Sequence, residues 1–249
     1  RNSGIAREAK RPVGSGVSVI NVDRSGRRCA DPDPMRASRR HRRDHVAEKD
    51  KAKLLAERAS LLTTVEQLDP SDWDTPSLAG GWRVRDVVAH VNFNVTLGFG
   101  FTIVGILKAR GDIHRFMATH ARKVGERPIA QHLETLRRVA VSEAVAPTTK
   151  PSDGGIDAFV HHHDIALAVG RDVPTDDARL RWLADGIPQA TRFIGCAERV
   201  RDVRMIATDI DWHYGTGPEV RGPAAAIILA ACGRSVWLDR LEGPGRDVL

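Results

Sequence analysis

The chain has 249 residues, 41% hydrophobic and 28% charged, an ordinary soluble composition with enough length to bury one large core or two small ones. The net charge of +6 is concentrated in residues 1–45, where twelve Lys/Arg meet five Asp/Glu, so the near-neutral body gives no support to nucleic-acid or membrane binding. Aromatic residues at 5% argue against a base-stacking platform, no apolar run reaches the roughly 18–20 residues of a membrane span, and three scattered cysteines make no disulfide framework, leaving a reducing cytoplasm as the expected compartment.

Residues 1–45 read as a disordered basic tail. They are rich in Arg, Gly, Ser, Pro and Asp, show no hydrophobic period, and bury too little apolar surface to offset their ordering entropy. Met35 is the first methionine and predicts a translation start there; no secretory signal pattern precedes it. From Val46 to Leu68 the residues Leu54, Leu55, Leu61, Leu62, Val65 and Leu68 recur at helical spacing. Arg58 is the one polar interruption of that stripe, with a stem long enough to cover apolar surface. Asp69-Pro70 ends the helix. A loop of turn formers follows, with Trp73 and Trp82 as packing anchors and Gly80-Gly81 allowing a tight approach.

A second helix opens near Trp82, with Val84, Val87, Val88 and Val91 on its apolar side. The interval 95–109 reads as buried helix broken by glycine. Further helices are expected at 112–124 and at 129–145, the latter with Leu133, Leu136 and Val139 inward. PTTKPSDGG reads as a flexible connection, 156–169 as a helix ended by Gly170, and 176–200 as a helix kinked or broken at Pro188. Beyond residue 200, VRMIATD and the segment around DWHYG read as strands, GTGP as a turn, and Gly222-Pro223 as the start of an apolar helix. The expected architecture is mainly α: a helical body over 46–200 and a small α+β segment over 201–249.

The chemistry is concentrated in DAFVHHHDIALAVGR. Residues four apart share a helix face, so Asp157 and His161 project together as a carboxylate and an imidazole, a natural ligand pair for zinc or a similar ion. His90 is the third candidate, an imidazole in the apolar stretch VVAHV that needs a partner, because an unpaired buried polar group costs about 1–3 kcal/mol. Three protein ligands leave an open position, the pattern of a catalytic zinc site. Asp164, three residues after His161, is placed either to orient its imidazole or to stand as a surface charge. The plainer alternatives are that His90 is a hydrogen-bonded core residue and that Asp157 and His161 form a surface ion pair. Two histidines and a carboxylate also suit Fe(II), Ni(II) or Mn(II). Cys196 and Cys232 lie in apolar helical contexts and read as inert core thiols; Asp86 reads as a helix-dipole carboxylate. Phosphate-binding loops, dinucleotide fingerprints and nucleophile elbows are missing from the sequence.

PSLAGGWRVRDVVAHV resembles the first signature of the mycothiol-dependent maleylpyruvate isomerase-like family, one of the DinB-like metal-binding four-helix bundles. DAFVHHHDIALAVGRDVP is similar to its second signature, and VRMIATDIDWHYGTGPEVRGPAAAIILAACGR to its carboxyl-terminal segment. The likeness spans roughly residues 50–245. It implies a DinB-like helical bundle in which His90, Asp157 and His161 bind zinc, in an actinobacterial cytoplasmic protein. It also implies mycothiol as cosubstrate, bound to the metal as thiolate and attacking a small electrophile in an isomerisation or S-transfer, with no nucleic-acid or membrane partner. A non-catalytic metal- or thiol-binding protein of the same fold is the alternative. Asp157 stands where the characterised isomerase carries Glu, one methylene longer.

Overall fold

The computed structural model describes residues 34–249 apart from 97, 147, 148 and 193. By contacts the chain divides into Arg1–His45 and Val46–Leu249. Of the expected tail, residues 1–33 lie outside the described residues. Residues 34–45 are helical, because α1 runs from Pro34 to Glu66 rather than starting near residue 46. Its first turns hold Met35, Ala37 and five arginines, which favour helix without any apolar stripe, so hydrophobic periodicity does not register them.

Eight further helices follow in the described residues: α2 (Val84–Thr96), α3 (Phe99–Lys108), α4 (Ile113–Gly125), α5 (Ile129–Ala140), α6 (Pro151–Ala166), α7 (Asp177–Gly186), α8 (Cys196–Arg199) and α9 (Ala224–Ala231). Three short strands, β1 (Arg204–Ala207), β2 (His213–Tyr214) and β3 (Glu219–Gly222), form a mixed sheet of order β2-β1-β3. β1 pairs antiparallel with β2, Met205 opposite Tyr214, and parallel with β3, Met205 opposite Val220. The architecture is mainly α with a small carboxyl-terminal α+β part, as expected. No helix among the described residues is long and apolar enough to cross a membrane.

Several local expectations change. PSDGG is the first turn and a half of α6: Pro151 takes a position where a missing N–H costs nothing, and the Asp153 carboxylate accepts a hydrogen bond from the Lys150 backbone N–H at 2.9 Å. The 95–109 interval is interrupted at Gly98, and α3 is not buried: Phe101, Ile103, Val104 and Leu107 are all exposed. α5 ends at Ala140, short of residue 145. Pro188 breaks rather than kinks the 176–200 helix, giving α7, a 3₁₀ turn at Ile187–Gln189 and the separate α8. β3 was not anticipated; EVRG is too short for its alternation to stand out.

Two hydrophobic cores organise the body. One gathers Leu61, Val65, Trp73, Val84, Val87, Val88, Val91, Leu136 and Val139 around α1, α2 and α5. The other joins Phe159, Leu183, Ile187, Met205, Val220 and Ile227 from α6, α7, the sheet and α9, so residues 201–249 share a core with the helices before them. α6 belongs to both, with Ile156, Phe159 and Val160 in the second core and Ile165 in the first. Complete burial of a side chain such as Phe159 contributes about 1.5–3 kcal/mol. Gly155 lets α7 come close: a Cβ there would lie 2.4 Å from Trp182 Cη2. Because α6 is wrapped on nearly all sides, its polar run His161, His162, His163 and Asp164 is buried too, and each of these side chains must find its partner inside the protein.

Candidate metal centre

α2 and α6 pack against each other, and their contact brings the three sequence-predicted residues together. His90 comes from the middle of α2, just after the turn that Gly81 makes possible with φ of 75°. Asp157 and His161 come from one face of α6. Their donor atoms all lie within 4.8 Å of one another, so the three could hold a metal ion. His90 Nε2 is 3.7 Å from Asp157 Oδ1, and His161 Nε2 is 3.6 Å from the same oxygen. These separations are too long for hydrogen bonds. They are close to the spacing of about 3.3 Å between two donors that each sit about 2.0–2.1 Å from a tetrahedral ion.

Each imidazole is set differently. His161 Nδ1 hydrogen-bonds Asp164 Oδ2 at 2.9 Å, which leaves Nε2 free to face Asp157. Asp164 is completely buried and is held by Arg234, whose Nε donates to Oδ1 at 2.9 Å and Nη2 to Oδ2 at 2.5 Å. Burial opposes ionisation of Asp164, but the hydrogen bonds from Arg234 and His161 outweigh it and hold the carboxyl below its usual range. His90 is pushed the other way: burial lowers its pKa against the pull of Asp157. A neutral imidazole with an available lone pair results, the form a metal binds. His90 Nδ1 is buried without a hydrogen-bond partner.

Aromatic rings enclose the group. The Trp82 indole lies 5.0 Å from the His90 ring and 6.2 Å from that of His161, and Phe93 meets His90 edge-on at 5.3 Å. On another side, Asp157 shares a cavity of about 40 Å³ with Val91, Val95, Ala158 and Arg58, enough for about one water. Arg58 is buried and donates to the backbone carbonyls of Ser142 and Ala144, so the lone charge on the α1 stripe secures the chain between α5 and α6 and also stands near Asp157.

The other two histidines of the run turn away. His162 Nε2 pairs with Thr64 Oγ1 at 2.7 Å, and His163 Nδ1 with the Phe159 carbonyl at 2.8 Å. Burial lowers them to about 3 and about 4 respectively, so both are uncharged packing residues near neutral pH. Cys196 and Cys232 are buried free thiols. Asp86 accepts from the Arg83 backbone N–H at 3.0 Å and from its side chain, an amino-terminal helix cap. The residue that sequence reasoning missed is Arg234, far along the chain from Asp164. The available signal was indirect: a buried aspartate in an apolar helix requires a cation, and the turn after α9 supplies one.

No curated protein sequence matches this chain. Two solved structures resemble it. One is the mycothiol-dependent maleylpyruvate isomerase, with 16% identity and a TM-score of 0.44. The other is a histidine-to-alanine mutant of that isomerase, with 14% identity and a TM-score of 0.45. In each case the match covers 80% of this chain and 92% of the other. The domain family described as mycothiol maleylpyruvate isomerase N-terminal domain matches residues 54–211, well over half the chain and a span that contains His90, Asp157 and His161. The chain therefore belongs to the mycothiol maleylpyruvate isomerase N-terminal domain family.

Proposed function

We propose that this protein is a metal-dependent enzyme that activates a low-molecular-weight thiol, mycothiol by its family membership, for isomerisation of, or S-transfer to, a small electrophile. The observation that carries this reading is the convergence of two imidazole nitrogens and one carboxylate oxygen within 4.8 Å, at separations unsuited to hydrogen bonding among themselves. Two imidazole nitrogens and a carboxylate oxygen facing one another beside aromatic walls form a donor set that a cation between them would hold together. Nitrogen and oxygen donors in this number suit zinc with an open fourth position.

His90, Asp157 and His161 hold the ion in this reading. A bound divalent cation supplies a lowered pKa for a thiol and polarisation of a carbonyl. Asp164, clamped by Arg234, fixes the tautomer and direction of the His161 ring, as outer carboxylates do in zinc sites. Trp82 and Phe93 exclude water from the imidazoles and so strengthen electrostatic interactions there.

Elemental analysis of the purified protein, followed by thiol-transfer assays with mycothiol and a panel of small electrophiles, tests the proposal. About one zinc per chain and metal-dependent turnover are expected, and His90→Ala should lose both. Turnover retained without metal overturns the mechanism. Metal without turnover on any electrophile leaves a binding protein in place of an enzyme.

A further inference from the structure

A second cavity, of about 280 Å³, lies between α2, α4 and α5 with α3 along one side, and the metal proposal makes no use of it. Its lining falls into two groups. Asn92, Phe93, Val124 and His132 are buried, and Arg127 is among the residues exposed to solvent, which gives the cavity a floor and a mouth. Phe93 is the partition from the metal centre: its ring meets His90 at 5.3 Å on one side and His120 at 4.7 Å on the other. His120 in turn contacts Phe101 at 5.3 Å, so the middle of the cavity is walled by flat rings.

The polar groups at the two ends differ in kind. On the floor, Asn92 Nδ2 donates to the His132 carbonyl at 3.0 Å, and Oδ1 is buried with no donor. An unsatisfied buried acceptor is costly, and a ligand hydroxyl entering the cavity, with a small turn of the amide, would remove that cost. At the mouth, Arg127 brings a guanidinium, and no carboxylate lines the cavity among the described residues. Burial, followed by the charges of Arg127 and Lys123, lowers the His120 pKa, so this ring meets a ligand as a neutral aromatic face. The volume is at the small end for ligand pockets, fitting a single-ring molecule rather than a nucleotide.

We infer that this cavity is a binding site for a small aromatic carboxylic acid bearing a hydroxyl group. The carboxylate pairs with Arg127, the ring packs against the wall that Phe93 and His120 form together, and the hydroxyl donates to Asn92 Oδ1. The site is separate from the metal centre and does not depend on it.

Calorimetric titration of the full chain, with and without metal, by para-hydroxybenzoate and by benzoate tests the assignment. Saturable binding at one site is expected, about tenfold tighter for para-hydroxybenzoate because only it satisfies Asn92. Arg127→Gln, at an exposed position, should weaken both acids about tenfold. Absence of saturable binding, equal affinity for the two acids, or indifference to Arg127→Gln each overturns the inference. Binding that requires the metal also overturns it, by moving the acid to the other site. Because metal content is measured separately, a protein without metal that still binds para-hydroxybenzoate refutes the proposed metal chemistry and leaves this site standing.

Discussion

Replacing Arg234 by Met should damage the protein in two ways that can be measured apart. The Asp164 carboxylate is fully buried and receives two hydrogen bonds from Arg234 and one from His161. At a charge separation of about 4 Å and an effective dielectric constant of about 20, the lost attraction is about 4 kcal/mol. That agrees with the roughly 3–5 kcal/mol cost of removing one partner from a buried pair. The remaining hydrogen bond from His161 offsets part of this, so we expect a loss of about 3 kcal/mol. For a domain of this size, about 2–4 °C per kcal/mol makes that a drop of about 6–12 °C in Tm for the metal-free protein. A less firmly held His161 should also weaken metal affinity about 10–100-fold, read by competition with a chelating dye. The double variant Asp164→Leu with Arg234→Met should recover most of the stability, because no buried charge is left unpaired, and none of the metal affinity. An unchanged Tm in the single variant, or full metal affinity in the double, would refute the reasoning.

Two further outcomes are expected. His162 and His163 have folded-state pKa values near 3 and 4 against an ordinary 6.5. Between those limits the unfolded chain binds protons that the native one refuses, so stability falls as pH drops below 6.5. From pH 7.5 to 5.5 the pair should cost about 3 kcal/mol; a flat urea-denaturation midpoint across that interval would contradict their burial as neutral rings. Gly155→Ala would bring a methyl to 2.4 Å from Trp182 Cη2 and 2.5 Å from Cζ3, and should destabilise by about 1–3 kcal/mol. Thermal melts check this, and a variant as stable as the parent would mean α7 can give way there.

The candidate site was more legible than the path of the backbone, and the reason is one of range. Asp157 and His161 are linked by helical geometry alone, which a four-residue spacing reveals, and His90 is conspicuous as a polar residue among valines. Asp164 follows from the same local rule. Arg234 obeys no local rule: it reaches Asp164 across 70 positions, and only the packing of α9 on α7, which itself packs on α6, brings it there. The misread elements share a pattern. The start of α1 has helix formers without a stripe, PSDGG has loop-like residues that cap a helix, and β3 is four residues long with its parallel partner across a hairpin. α3 has the apolar composition of a buried helix yet lies on the surface, where composition alone misleads.

The clamp that comes from the far end of the chain also sets an order of events during synthesis. Both histidines and the aspartate of the centre leave the ribosome well before Arg234 does. A nascent chain at that stage has its donors and Asp164 but no cation to neutralise and anchor that carboxylate, so an early ion would meet a less firmly aimed set of donors. Under the proposed metal reading, loading would follow the docking of the turn after α9 that carries Arg234. Any cleavage or frameshift that removes Arg234 would leave His90, Asp157 and His161 present but Asp164 without its cation.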